Sequence, residues 1–138
     1  MLIPRFLKTY FTIILLLLFQ PFSFAEGFIK NQGQLPNNVF AKKNVKGGAL
    51  FIEQAKLTFS FYDQIQLKNF HNRVGNNNNI NFHSYSVSFL NTNKSLETRF
   101  LNKLDFTENY YLGDSSSWVT GVNHYKKHIQ KNIYKGID

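Results

Sequence analysis

Four histidines, His71, His83, His124 and His128, hold the most evident ligand chemistry in the chain. His124 and His128 are four residues apart, a spacing that on a helix turns two imidazoles toward one metal ion. The metalloprotease form of that pair also needs a glutamate directly after the first histidine, and Tyr125 stands there. On a strand the same two residues share a face but lie too far apart to chelate without a third ligand. Solvated histidines in a basic protein are therefore the expectation, with no metal. Among the eight dispersed acids, Asp105 and Glu108 are the pair to weigh for glycoside hydrolysis. That chemistry needs two carboxyls at a defined separation, and nothing flanking them supports it; turn and loop acids are expected. No G-x-S-x-G elbow and no phosphate-cradling glycine loop occurs. Gly47-Gly48 is too short for such a loop and reads as backbone freedom where a loop enters a strand. No catalytic residue and no cofactor is expected, and the chain reads as not an enzyme.

Two aromatic groupings suggest binding instead. Lys126, Lys127, Lys131 and Lys135 are interleaved with Tyr125 and Tyr134, a pattern that suits single-stranded nucleic acid or an anionic lipid or glycan surface. The first 25 residues read as an export signal, and an exported protein rarely meets nucleic acid as its main ligand, so no nucleic acid partner is expected. Lysines blunting the edge of a solvated strand are the plainer reading. Tyr110, Tyr111 and Trp118 flank the turn cluster "LGDSSSW" and are the candidate ligand-facing aromatics, placed to stack on sugars.

The elements that must position these residues follow an N-terminal leader. Arg5 and Lys8 precede the apolar run Phe11 to Phe19, then Gln20-Pro21 and the small-residue pattern Ser23-Phe24-Ala25. That order marks residues 1–25 as a secretory signal peptide cleaved after Ala25. The apolar run breaks well short of the ~20 residues that a membrane span needs, so no stable span is expected after cleavage. Cleavage removes Arg5 and Lys8 and no acid, so 138 residues become 113 and the net charge of +8 becomes +6. A domain of that size without cysteine has no disulfides and relies on its apolar core.

The mature part, residues 26–138, leans toward β structure. Its many asparagines compete for backbone hydrogen bonds and disfavour helix interiors, while its aromatics suit a pleated surface. "HSYSVSFL" alternates strictly, with Tyr85, Val87 and Phe89 opposite Ser84, Ser86 and Ser88. "KLTFSFYD" alternates likewise, and with "GGALFIE" before it predicts a hairpin. Phe59, Phe61, Tyr85 and Phe89 are the expected core aromatics. A weaker alternation at Ile65, Leu67 and Phe70 reads as more strand. "NRVGNNNNIN" reads as a loop, and "HYKKHIQKNIY" as a last strand. The expected class is all-β, an antiparallel sandwich or a curled sheet.

Several stretches together resemble a known family. "GFIKNQGQLPNNVFAKKNVKGGALFIEQAKLTFSFYD", "HSYSVSFLNTN" and "NYYLGDSSSWVTGVNHYKKHIQKNIYKGID" are similar, in order, to an N-terminal domain of unknown function of large secreted bacterial surface proteins. The matching positions include Phe28, Asn31, Gly33 and Gln34, then Ala49 to Ile52, Asn109, Tyr110, Gly113 and Trp118, and finally Tyr134, Gly136, Ile137 and Asp138. The resemblance implies a domain placed after a signal peptide, followed by β-propeller repeats, PKD modules and often a sorting domain for type IX secretion in gliding bacteria. It implies no catalytic residues. Downstream modules of the same longer chain are the partners it implies, with surface glycans or other surface proteins beyond them. On this reading residues 26–138 are a truncated β domain, secreted or held at the cell surface, with a structural or interaction role; the alternative is a glycan-binding sandwich. The last strand is then expected to be an unpaired edge, leaving residues 26–138 alone to aggregate, to dimerise through that strand or to fold incompletely.

Overall fold

A computed structural model describes residues 27–73 and 79–136. Residues 1–26, which include the expected signal peptide, residues 74–78 of the asparagine-rich stretch, and Ile137 and Asp138 lie outside the described residues.

The described chain is all-β. Its strands are β1 (Phe28–Lys30), β2 (Val39–Val45), β3 (Gly48–Glu53), β4 (Lys56–Tyr62), β5 (Phe82–Ser88), β6 (Glu97–Tyr110) and β7 (Val119–Lys131). They form one antiparallel sheet in the order β5-β4-β3-β2-β1-β7-β6. The β3–β4 hairpin falls where glycine, alternation and turn residues placed it, with Glu53 opposite Lys56 and Gly48 opposite Phe61. Gly48 has to be glycine: an added Cβ would stand 2.0 Å from the Ser60 carbonyl oxygen.

Three readings change. Residues Gln64–His71 form a helix, α1, and not a strand. Asp63 decides this, since its carboxylate accepts the Ile65 and Gln66 backbone N–H groups and caps the first turn. The last strand is not an edge either, because β7 lies between β1 and β6. Finally, the expected core aromatics form a layer that is half open to solvent. Tyr85 is 48% exposed and Phe89 36%, while Phe59 and Phe61 are half-buried. The fully packed positions are smaller side chains, among them Ile29, Val39, Ala41, Ile52 and Val122.

The sheet is curled. Gln130 Nε2 in β7 donates to the Glu53 carbonyl in β3 at 2.8 Å. Those strands are three places apart in the sheet, which would put them ~14 Å apart if it were flat. Gln54, in the β3–β4 turn, likewise donates to the Lys94 carbonyl. The pairing of β6 with β7 is irregular between Lys103 and Thr107, next to Asn102 at φ 57°, a pattern that bends strands locally.

Candidate functional site

The β6–β7 hairpin carries most of the candidate residues. At its tip Tyr111 and Trp118 meet edge to face, with ring centroids 5.0 Å apart and planes at 73°. They are 57% and 49% exposed, and Leu112 beside them 67%. The tip is held by backbone and indole contacts: Ser117 N–H donates to the Asp114 carbonyl, and Trp118 Nε1 to the Gly113 carbonyl. Gly113, at φ 67°, makes the left-handed turn that this closure requires. Tyr110 does not join the pair, for its hydroxyl donates to Glu108 Oε2 at 2.8 Å. Burial and the Glu108 carboxylate beside it push the Tyr110 phenol well above its ordinary range.

Below the tip the histidines differ from their solvated expectation. His124 is 3% exposed; its Nε2 lies 3.5 Å from Glu108 Oε1, without hydrogen-bond geometry. The Phe106 ring covers it at 4.5 Å. His128 packs between Phe28 and Phe100, at 6.0 and 4.8 Å, and burial holds its pKa below the ordinary value. His71 and His83 are exposed. Among the described residues no group of three or more His, Cys, Asp or Glu side chains is arranged to hold a metal ion. Asp105 and Glu108 are strand residues rather than turn acids. Glu108 accepts the Tyr110 hydroxyl and lies beside His124, while Asp105 sits exposed in the irregular part of β6.

The residues that carry the family resemblance serve the backbone. Asn31 Nδ2 donates to the carbonyls of Leu35, Pro36 and Val39, and its Oδ1 accepts from Gly33 and Leu35 N–H. Gln34 ties back to the Lys30 carbonyl and receives Gln32 N–H. Gln32 Oε1 accepts from the backbone and side chain of Asn123 in β7. The N-x-G-Q stretch is thus a loop knot that fixes β1 to β2 and β7. Across residues 28–138 the chain matches the model of a domain of unknown function, DUF7948. The chain belongs to that family. No curated protein and no solved structure matches the chain.

Sequence reasoning missed a second knot, around Glu53 in the family's strand pair. Its carboxylate accepts from Asn38 Nδ2 (2.7 Å), Thr58 Oγ1 (2.8 Å) and Lys56 Nζ. Burial alone would raise this carboxyl, but the three donors outweigh it and hold the pKa below its usual value. The available signal was an acid ending one strand with a lysine opening the next, Glu53 and Lys56. The candidate basic tail separates: Lys126, Lys127 and Lys131 are exposed along β7, while Tyr125 packs on Phe100 at 5.1 Å. Among the described residues no helix is long and apolar enough to cross a membrane.

Proposed function

We propose that the chain is an exported, non-enzymatic β module of a bacterial secreted or cell-surface protein, with a structural or interaction role. The observation that carries this reading is the use of Asn31: its side-chain amide, at the head of the family-like N-x-G-Q stretch, is spent on holding backbone, Nδ2 on three carbonyls and Oδ1 on two N–H groups. A catalytic motif leaves at least one polar group free to face substrate. The basic, apolar and small-residue order of residues 1–25 supplies the route out of the cytoplasm. Downstream modules of a longer chain, and a type IX sorting signal among them, belong to the same proposal.

Expression in a Gram-negative host tests it. The exported fraction should contain a chain beginning at Glu26, read by mass spectrometry. An intact chain retained with Met1 in the cytoplasm or the membrane overturns the export route.

A second reading, binding of surface glycan, is favoured by one observation, the exposed Tyr111–Trp118 pair on a stiff hairpin tip. Aromatic faces at such positions stack on sugar rings and supply contact area at low entropic cost. Titration with bacterial surface polysaccharide should then show binding that Trp118→Ala abolishes and Tyr110→Phe leaves intact. Binding insensitive to Trp118→Ala removes this reading.

A further inference from the structure

Among the described strands the sheet ends in two edges, β5 and β6, and they differ in kind. β6 is blunted, as exposed edges usually are: it carries Glu97, Arg99, Lys103, Asp105 and Glu108, and its pairing is twice irregular. β5 has none of these devices. Its seven residues, Phe82–Ser88, include no charge, no proline and no glycine, and all seven are exposed. Its pairing with β4 is regular throughout. Among the described strands β5 alone lacks a charged side chain.

Hydrogen bonds at the two ends of β5 fix which backbone groups are open. Asp63 N–H donates to the Asn81 carbonyl, and Phe89 N–H to the Ala55 carbonyl. Residues 81 and 89 therefore turn their backbone groups toward β4. In an antiparallel ladder alternate residues turn to opposite sides. Ser84 and Ser86, with Phe82 and Ser88, thus present their N–H and C=O groups outward.

The side chains complete the pattern. Tyr85 stacks on Phe59 at 5.1 Å and on Phe61 at 6.3 Å, and those two rings stack on each other at 6.5 Å. Leu57 stands opposite Val87 on the same face. This aromatic layer runs out to the edge and stops at Tyr85 with half its surface open.

We infer that β5 pairs with β5 of a second copy of this chain, antiparallel, about a two-fold axis through Tyr85. The strand is self-complementary about that residue, with serine on either side. Ser84 meets Ser86 of the second copy, and Phe82 meets Ser88. Four such pairs exchange about eight backbone hydrogen bonds. The two Tyr85 rings become neighbours and join both aromatic layers into one. Charge selects the occupant. A chain of net charge +8, or +6 once residues 1–25 are removed, repels its own copy at most faces, and β5 is where two copies meet without opposing lysines. Isologous two-fold contact is also the commonest form of self-association. The inference goes beyond the export reading and fails separately from it, since it is measured on purified protein and not by processing.

The test exploits a chain without cysteine. Sedimentation at micromolar concentration should show a dimer. Tyr85→Cys should oxidise to a covalent dimer, because residues facing each other in such a pair approach to about 4.5 Å between Cα atoms, within disulfide reach. Val87→Cys, on the same face but off the axis, should not. Ser86→Pro removes an outward N–H and leaves the β4 ladder intact, so it should weaken association at least about tenfold with an unchanged circular dichroism spectrum. A wild-type monomer overturns the inference. So does a dimer indifferent to Ser86→Pro, cross-linking favoured at Val87→Cys, or capture of a different chain's strand by a monomer.

Discussion

Gln130 and Glu53 stand 77 residues apart in the chain and are joined by a 2.8 Å hydrogen bond from side chain to carbonyl. The bond lands on the residue whose carboxylate already gathers Asn38, Lys56 and Thr58. Glu53 therefore binds the β2 end, the β3–β4 turn and the returning end of β7 into one corner. Gln130→Ala should cost about 0.5–1.5 kcal/mol, one ordinary hydrogen bond. Glu53→Ala should cost more, about 2–3 kcal/mol, because charge-assisted bonds are lost and three donors are left to find water. Urea unfolding of the two variants checks the order.

The same carboxylate sets an acid limit. Its folded pKa lies below the ordinary value of 4.5, so the unfolded state takes up the proton first. The stabilisation is fully present above the unfolded value and is lost as pH falls through the folded one. Glu53→Gln should flatten the loss of stability in acid relative to the parent chain. Equal acid slopes in both proteins would sink this account.

Asn31 gives a sharper chemical test. Its amide nitrogen faces three carbonyl oxygens, an arrangement that only a donor tolerates. Asn31→Asp replaces that donor with a carboxylate oxygen among acceptors, so it should destabilise more than Asn31→Ala. The alanine variant should lose about 2–4 kcal/mol, several part-buried bonds at once. Thermal unfolding that ranks aspartate above alanine would contradict the donor assignment.

Strands with clean alternation were legible in the sequence: β3, β4 and β5 stand where Leu57, Phe59, Phe61, Tyr85 and Val87 placed them. β7 was legible too, although its position inside the sheet was not, because strand order depends on contacts far apart in sequence. β2 and β6 escaped notice for a physical reason. Lys42 and Lys43 interrupt β2's apolar period, and the bulged stretch of β6 shifts its period partway along. α1 was misread because Ile65 and Leu67 also fit alternation, and the Asp63 cap was the overlooked signal. Of the candidate site, the Tyr111–Trp118 pair was readable from the turn cluster between them. The burial of His124 was not, since it depends on Phe106 across a bulge.

The core assignment leads to a pair of contrasting mutations. Ile52 is 6% exposed, while Phe89 is 36% exposed and only borders an apolar cavity of about 300 Å³ with Ile129, Ile133 and Tyr134. Ile52→Ala should cost about 2–5 kcal/mol, as buried aliphatic truncations do. Phe89→Ala should cost about 1–2 kcal/mol, since the large ring gives up only part of its transfer energy. A Phe89 variant as damaging as the Ile52 variant would place the hydrophobic centre at the cavity rather than at β2 and β3.

His128 predicts how stability responds to mild acid. Its Nε2 is buried and makes no hydrogen bond among the described residues, with Phe28 and Phe100 against the ring. Burial lowers its folded pKa from the ordinary 6.5, so the neutral ring is the form that the fold accepts. Between the folded and unfolded values the unfolded chain binds the extra proton, and stability rises with pH across that window. The parent chain should therefore hold its full His128 contribution above about pH 6.5 and lose it progressively as pH falls toward the folded value. His128→Phe keeps an aromatic ring of similar size between the two phenylalanines and removes the titration. Unfolding midpoints followed from about pH 8 to about pH 5 should fall less steeply for His128→Phe than for the parent. Parallel slopes for the parent and the His128 variant would mean that the buried ring is protonated in the folded state as readily as in the unfolded one.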